Sequence, residues 1–330
     1  MSDHDEVPRA ARLRAARGTL LVDATTVEVT RALNAVGIQP ILLKGPTFAS
    51  WLYPEGGRTY TDSDLLVRST DVPAAEASLS RLGFVATQAG YAPSERDIES
   101  STYSRRGTVE APNIVDLHWN LHLARDPDLT WSVLHAEVQE MSLGGTPITI
   151  LNVPARALHV AIHAAQHGLM GPQRFERGGQ TGEDLRRALR VVARGDWIEA
   201  KRLASAIGAS DAFAFGLRLD PTGAALADEL SLDVGEPELW RFRNPFEVPR
   251  GASSFHRLVA APTVNEKTAV LFRAIVPSRA RVRRVANSSM GRASLVGAYV
   301  EYWFDAARAI VPAVTSGIAL RRSSRAARRR

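Results

Sequence analysis

The sequence predicts an α+β fold: a small mixed sheet with flanking helices, followed by a mainly helical C-terminal region. Three observations carry this. Over the first ninety residues, stretches with apolar residues at helical spacing alternate with short β-branched runs. Strand-like runs then follow one another at Phe84 to Thr87, Thr102 to Arg105 and Ile114 to Leu121. Beyond about residue 150 the apolar positions recur at helical spacing with few strand signals to compete. The expected organisation is an α+β domain over residues 1–150, a mainly helical domain over 151–320, and a disordered arginine-rich tail over 321–330.

Taken in order, residues 19 to 36 read as a helix whose apolar face is Leu20, Leu21, Ala24, Val27, Val29 and Leu33, capped at Gly37. Ile38 to Leu43 is a buried strand bounded by Gly37 and Gly45. Pro46 suits a first helical turn, and Phe48, Ala49, Leu52 and Tyr53 continue it until Pro54, Gly56 and Gly57 end it. Ser63 to Val67 is the next strand. Asp71 is placed to cap a helix carrying Val72, Ala75, Leu79 and Leu82 inward, closed by Gly83. In the second half, helices are expected over 155–169, 183–193, 197–207, 266–276 and 292–311, with loops at Pro221 to Gly223 and Arg241 to Ser254.

Composition narrows the chemistry. There is no cysteine, so disulfides, thiolate metal sites and thiol nucleophiles are excluded together, and a hard cation held by carboxylates becomes the natural default. The net charge of +6 sits in the tail: Arg321, Arg322, Arg325, Arg328, Arg329 and Arg330 account for all of it, leaving a neutral body. Attraction to nucleic acid or an anionic surface therefore concerns the tail alone and is not favoured. Residues 1 to 18 mix acids and arginines without an apolar core, so no secretory signal is read there. The late apolar stretch from Leu295 to Leu320 is broken by Glu301, Asp305, Arg308 and Pro312, which rules out a transmembrane reading. A soluble, cytoplasmic protein is expected.

The chemistry-bearing pattern is a set of carboxylates. Residues two apart on a strand share a face, so Asp62 and Asp64 stand side by side at the entrance to Leu65-Leu66-Val67. Two such anions repel unless a cation lies between them, and magnesium (Mg2+), with manganese (Mn2+) as the alternative, accepts carboxylates together with phosphate oxygens. On the run from Asn113 to Leu121, Val115, Leu117, Trp119 and Leu121 form the core face, which turns Ile114, Asp116, His118 and Asn120 toward a cleft. If the two strands are neighbours, Asp116 completes a three-carboxylate site. Lys44-Gly45 ends a strand and leads directly into a helix, so Gly45 permits a sharp turn close to an anion, with Lys44 and Arg58 adding charge against a triphosphate.

The run Ile41-Leu42-Leu43-Lys44-Gly45, then Leu52-Tyr53-Pro54, Arg58, Asp62-Ser63-Asp64-Leu65-Leu66-Val67, Leu82-Gly83-Phe84 and Asp116-Leu117-His118-Trp119 resembles the bacterial uncharacterised nucleotidyltransferase family of the DNA polymerase beta-like superfamily. The resemblance continues through His159, His163 and His167 to Glu183-Asp184-Leu185. It implies that Asp62 and Asp64 bind the metal of a nucleoside triphosphate such as ATP, that Asp116 binds a second metal and assists deprotonation of the acceptor, and that Gly45 is the phosphate-turn glycine. It implies transfer of a nucleoside monophosphate to a hydroxyl acceptor, a peptide, sugar or small molecule, in a biosynthetic setting. Two positions depart from the pattern. Pro46 follows the glycine where Ser or Gly is usual, leaving Thr47 to replace the hydroxyl, and Ser63 stands where an apolar residue normally separates the carboxylates.

His159, His163 and His167 repeat every four residues and form a helical stripe, read first as packing, then as cleft lining or a zinc site. Thr181 and Asp184 read as a capping-box helix start, with a structural role. Tyr299, Tyr302, Trp303 and Phe304 read as core or interface packing. Two rival functions stand beside the transferase: a catalytically silent nucleotide-binding regulatory module, and a protein acting on RNA or a membrane surface through its tail.

Overall fold

The computed structural model describes residues 9–87, 100–108, 111–169 apart from 122 and 125, 179–233, and isolated positions between 268 and 304. The chain forms two compact units, one of residues 1–87 with 98–233, the other of residues 88–97 with 234–330. The expected helices over 266–276 and 292–311 are represented only by isolated helical positions, of which Val296, Trp303 and Phe304 are exposed. The loop at 241–254 and the arginine tail lie outside the described residues. Among the described residues no helix is long and apolar enough to cross a membrane.

The first unit is built on a seven-stranded sheet in the order β3-β4-β5-β2-β1-β7-β6. The strands are β1 (Ile41–Leu42), β2 (Ser63–Leu66), β3 (Val85–Ala86), β4 (Ser100–Thr108), β5 (Ala111–His118), β6 (Val138–Leu143) and β7 (Thr146–Leu151). β2 runs parallel to β5 and β1 runs parallel to β7, whereas the other pairs are antiparallel, so the sheet is mixed. With helices before, between and after these strands, the fold is α+β. The hairpin of β6 and β7 carries little signal in the sequence. β6 alternates half-buried and exposed residues with Gln139 and Glu140 outward, which dilutes its apolar signal, and the marker that remains is Gly144-Gly145, both at positive φ, at its turn.

Helix α1 (Arg9–Asn34) lies on one face of the sheet and begins well before residue 19. Its buried positions are Val22, Thr25, Thr26, Val29, Thr30 and Leu33, while Leu20 is exposed. The expected apolar face is therefore rotated, because threonines occupy inward positions. Thr25 and Thr26 satisfy their hydroxyls on the carbonyls of Leu21 and Val22 one turn back. Val29 and Leu33 join Leu42, Leu65, Val67, Val115, Leu117, Ile148 and Ile150 in one core with Ala75 and Leu79 of α3 (Val72–Arg81). This core takes every second residue of β2 and β5, so the alternate residues face the other way. Ser63, on the core side, sits with its Oγ 2.9 Å from Thr26 Oγ1, and this hydroxyl pair replaces the apolar anchor expected there.

Helices α2 (Pro46–Leu52) and α4 (Pro127–His135) follow β1 and β5, the latter capped by Asp126 accepting from Leu129 N–H. After β7 come α5 (Val153–Leu169), α6 (Gln180–Val191), α7 (Arg194–Ala206), α8 (Ser210–Arg218) and α9 (Pro221–Glu229). α5 is buried on nearly all sides. Its contact with α8 is close enough that a Cβ on Gly216 would stand 1.8 Å from the Ala161 carbonyl oxygen. Pro221 to Gly223, expected as a loop, is the first turn of α9. Asp220 caps it by accepting from the N–H groups of Thr222 and Gly223, and proline at the first helical position was the overlooked signal. The expected capping box at Thr181 is also replaced: α6 starts after Gly179, and Asp184 is buried and turned toward Arg58.

Candidate active site

The parallel pairing of β2 and β5 sets Asp64 directly opposite Asp116, and Leu66 opposite His118. With Leu65, Val67, Val115 and Leu117 committed to the core, Asp64, Asp116 and His118 emerge together on the other face. One ligand atom from each can lie within 4.8 Å of the others. His118 Nε2 is 3.2 Å from Asp64 Oδ1. Asp62 precedes β2 and remains outside this close group, with a partly exposed side chain.

Lys44 arrives from the neighbouring strand. Because β1 is antiparallel to β2, the residues leaving β1 meet the start of β2, and Leu43 N–H donates to the Asp64 carbonyl. Lys44 Nζ then reaches 3.0 Å from Asp64 Oδ1 and 3.5 Å from Asp62 Oδ2. Gly45 follows at φ +70°, a left-handed conformation costly to a side chain, and a Cβ there would touch the Tyr60 ring at 3.4 Å. Tyr60 is itself held by a 2.6 Å bond from its hydroxyl to Asp23.

The two facing carboxylates differ electrostatically. Burial would push Asp64 up, but the Lys44 ammonium and His118 outweigh it and hold this carboxyl well below its ordinary range. Burial and the Asp64 charge raise Asp116, against a hydrogen bond from Thr102. Lys44 is held charged by Asp64 and Asp62 despite its own burial. Asp64 Oδ2 and Asp116 Oδ1 are buried without a hydrogen-bond partner. Two carboxylates with orphaned buried oxygens and an adjacent imidazole form a donor set that fits a divalent cation, and the nitrogen suits manganese as well as oxygen-seeking magnesium.

The other expected binding residues are engaged elsewhere. Thr47 is fully buried and donates its hydroxyl to the Leu43 carbonyl, so it does not turn toward the carboxylates. Arg58 is buried too. Its Nε and Nη2 grip Asp184 at 3.0 and 2.9 Å, and Nη1 donates to the Gly45 carbonyl at 3.2 Å. Asp184, read from sequence as a cap residue, is thus the partner that the sequence reading missed. A buried-face position inside a helix occupied by an acid was the available signal.

The histidine stripe runs along α5 and meets α2 at His159. His159 packs against Phe48 at 5.6 Å between centroids, and His159, His163 and His167 follow one another at 6.1 and 4.6 Å. Burial pushes His159 down to about 4, and burial with the nearby Lys44 charge lowers His163. Both are therefore neutral at ordinary pH. Among the described residues, the stripe does not gather a three-ligand metal group.

A family model described as uncharacterised nucleotidyltransferase matches residues 6–220. Among solved structures the chain is similar to the crystal structure of an antigenic nucleotidyltransferase-like protein from Paracoccidioides brasiliensis. The two are 11% identical with a TM-score of 0.36, over 67% of this chain and 95% of that one. No curated protein matches the chain.

Proposed function

We infer the activity of this protein from the family to which the chain belongs, the uncharacterised nucleotidyltransferases. We propose that it moves a nucleoside monophosphate from a nucleoside triphosphate to a hydroxyl acceptor and releases pyrophosphate. The observation that carries this reading is the register of Asp64 opposite Asp116, each with a buried oxygen lacking a partner. Asp64 and Asp116, with His118 and Asp62 beside them, would hold a divalent cation, magnesium or manganese. Such a cation supplies electrostatic stabilisation of the phosphate oxygens.

The chain's own groups divide the remaining work. Lys44, kept charged by the carboxylates, faces the negative triphosphate and orients it. The acceptor oxygen forms a bond to the α-phosphorus, the bond from that phosphorus to the bridging oxygen breaks, and the electron pair leaves with pyrophosphate. The hydroxyl proton passes to Asp116, since the Lys44 ammonium lies 3.0 Å from Asp64 Oδ1 and already occupies that carboxylate. His159, neutral and packed against Phe48 of α2, adds no charge beside the carboxylates.

The test is incubation with each triphosphate labelled in turn at the α- and γ-phosphate, with Mg2+ or Mn2+ and host extract as acceptor source. Label from the α-position alone should enter an acceptor in the wild type, with pyrophosphate released, and Asp64→Asn should give none. Label entering only from the γ-position would replace this reading with phosphoryl transfer.

A further inference from the structure

Arg58 belongs to the loop between α2 and β2, the loop that delivers Asp62 and Asp64. All three of its outward nitrogens are used, two on Asp184 and one on the Gly45 carbonyl. Its Cζ lies over the Phe48 ring at 5.3 Å. Asp184 is equally committed: Oδ1 also accepts from the Tyr53 hydroxyl at 2.8 Å and from Gln180 Nε2 at 3.2 Å. The Arg58 and Asp184 side chains are 5% and 1% exposed, and 126 residues separate them in sequence. One turn further along α6, Arg187 donates to the Leu52 carbonyl at 3.1 Å and lies over the Tyr53 ring. α6 therefore fastens the chain at Gly45 through Arg58 and at Leu52 through Arg187.

Stability alone does not explain this arrangement. A buried ion pair contributes no more than a well-packed apolar pair of the same volume, since both charges must leave water. The apolar pair, however, could not send a third N–H to Gly45. The planar guanidinium, gripped at two nitrogens by a carboxylate that is itself held from two sides, delivers that N–H in a fixed direction. Its acceptor is the carbonyl of the residue next to Lys44, and Lys44 Nζ is 3.0 Å from Asp64.

We propose that Asp184 is a positioning residue of the active site, fixing the Lys44-Gly45 corner against Asp64 by way of Arg58 so that the triphosphate and the carboxylates meet in register. This rests on the nucleotidyl-transfer reading and extends it to the helical part of the unit, which contributes to nucleotide binding without touching the nucleotide. Arg58 acts with it and is not itself a phosphate ligand.

The experiment uses the full chain as wild type, Asp184→Asn, Arg58→Lys and the double variant, each below its melting temperature. Mn2+ binding without nucleotide is measured by electron paramagnetic resonance. Affinity for a Mn2+-loaded triphosphate with a methylene α,β-bridge is measured by calorimetry. Asp184→Asn should weaken triphosphate binding roughly 10- to 100-fold, as loss of an orienting partner does at metal sites. Free Mn2+ binding should stay at the wild-type level. Arg58→Lys keeps the charge but loses the fork, so it should behave alike and serve if Asp184→Asn does not fold. The double variant should fall no further than the singles, because one device is broken once. Wild-type triphosphate affinity in a folded single variant overturns the proposal, as does a parallel loss of Mn2+ and triphosphate binding. A wild type that binds Mn2+ but no triphosphate overturns the nucleotidyl-transfer reading and this inference together, and so separates the two failures.

Discussion

Two buried acid clusters flank the Lys44-Gly45 corner, and they are built in opposite ways. At Asp184, both carboxylate oxygens are occupied by Arg58, Tyr53 and Gln180. At Asp64 and Asp116, one oxygen of each is buried with no partner. A folded chain rarely leaves such groups unpaired, since an unsatisfied buried polar atom costs about 1–3 kcal/mol. The saturated cluster holds a corner in place, whereas the unsaturated one keeps capacity for something to bind. Exposure does not separate them, for Asp64 and Asp184 are both 1% exposed. The hydrogen-bond count does.

The sharpest break between the clusters comes from Asp64→Asn. Removing this charge should lower kcat/KM by roughly 10³-fold or more, with a lower melting temperature as well, because Lys44 loses its 3.0 Å partner and keeps only Asp62 at 3.5 Å. Asp116→Asn should reduce turnover more than it reduces triphosphate affinity, because its proposed duty concerns the attacking hydroxyl. Steady-state kinetics with calorimetry on both variants decide the matter. If Asp64→Asn unfolds the protein while Asp184→Asn leaves it untouched, the assignment of the two clusters is reversed.

Arg58→Met tests the saturated cluster from its other side. It strands Asp184 as a buried charge without its cation, which typically costs about 3–5 kcal/mol. Denaturant unfolding should show that loss as a lower midpoint. Unchanged stability would mean that Tyr53 and Gln180 alone satisfy Asp184, and the ion pair would no longer count as a brace.

How far the sequence discloses this contrast depends on which interactions are local. Strand period placed Asp116 and His118 together and opposite Val115 and Leu117, since a two-residue repeat fixes both faces at once. The Gly45 corner was legible because a strand end, a glycine and Pro46 at a helix start follow one another in the chain. That β2 and β5 pair in register, so that Asp64 meets Asp116, is a long-range fact that the pattern allowed but did not dictate. The pairing of Arg58 with Asp184 was not legible, because the two lie 126 residues apart and no local rule couples a loop arginine to a helical aspartate. α1 misled through Thr25, Thr26 and Thr30, which are buried but polar by type. The eight-residue gap between β5 and α4 was similarly opaque, and α4 itself escaped notice although Asp126-Pro127 is a helix-start pair.

A third buried pairing falls between the two extremes. His159 is 6% exposed, its Nδ1 has no partner, and burial sets its folded value at about 4 against an ordinary 6.5. Its folded state binds fewer protons than its unfolded state between those values. The stability linked to His159 is therefore complete above pH 6.5, declines as pH falls and is gone near pH 4. The full span corresponds to roughly 3 kcal/mol. His159→Phe, which keeps the contact with Phe48, should flatten the wild-type loss of stability across that window. Identical slopes of melting temperature against pH in the two proteins would locate the acid sensitivity elsewhere.

The smallest expected effect is at Ser63, and it asks whether the back of the carboxylate strand is independent of its front. Ser63 lies between Asp62 and Asp64 but faces the core, where its Oγ is 2.9 Å from Thr26 Oγ1. Thr26 has one hydroxyl proton and also lies 2.9 Å from the Val22 carbonyl, so the consistent arrangement has Thr26 donating to Val22 and Ser63 donating to Thr26. Ser63→Ala then removes one donor while leaving Thr26 its own bond, and should cost about 1 kcal/mol by chemical denaturation. The main chain of β2 is held on both sides by β1 and β5, with Asp64 and Leu65 in register with Asp116 and Leu117, so loss of one hydroxyl behind it should leave the carboxylates in place. Turnover should accordingly match the wild type within error. A drop in kcat/KM larger than the stability change accounts for would show instead that the Thr26 contact sets the pitch of the strand, and that α1 must then be counted with α6 among the elements that aim the active site.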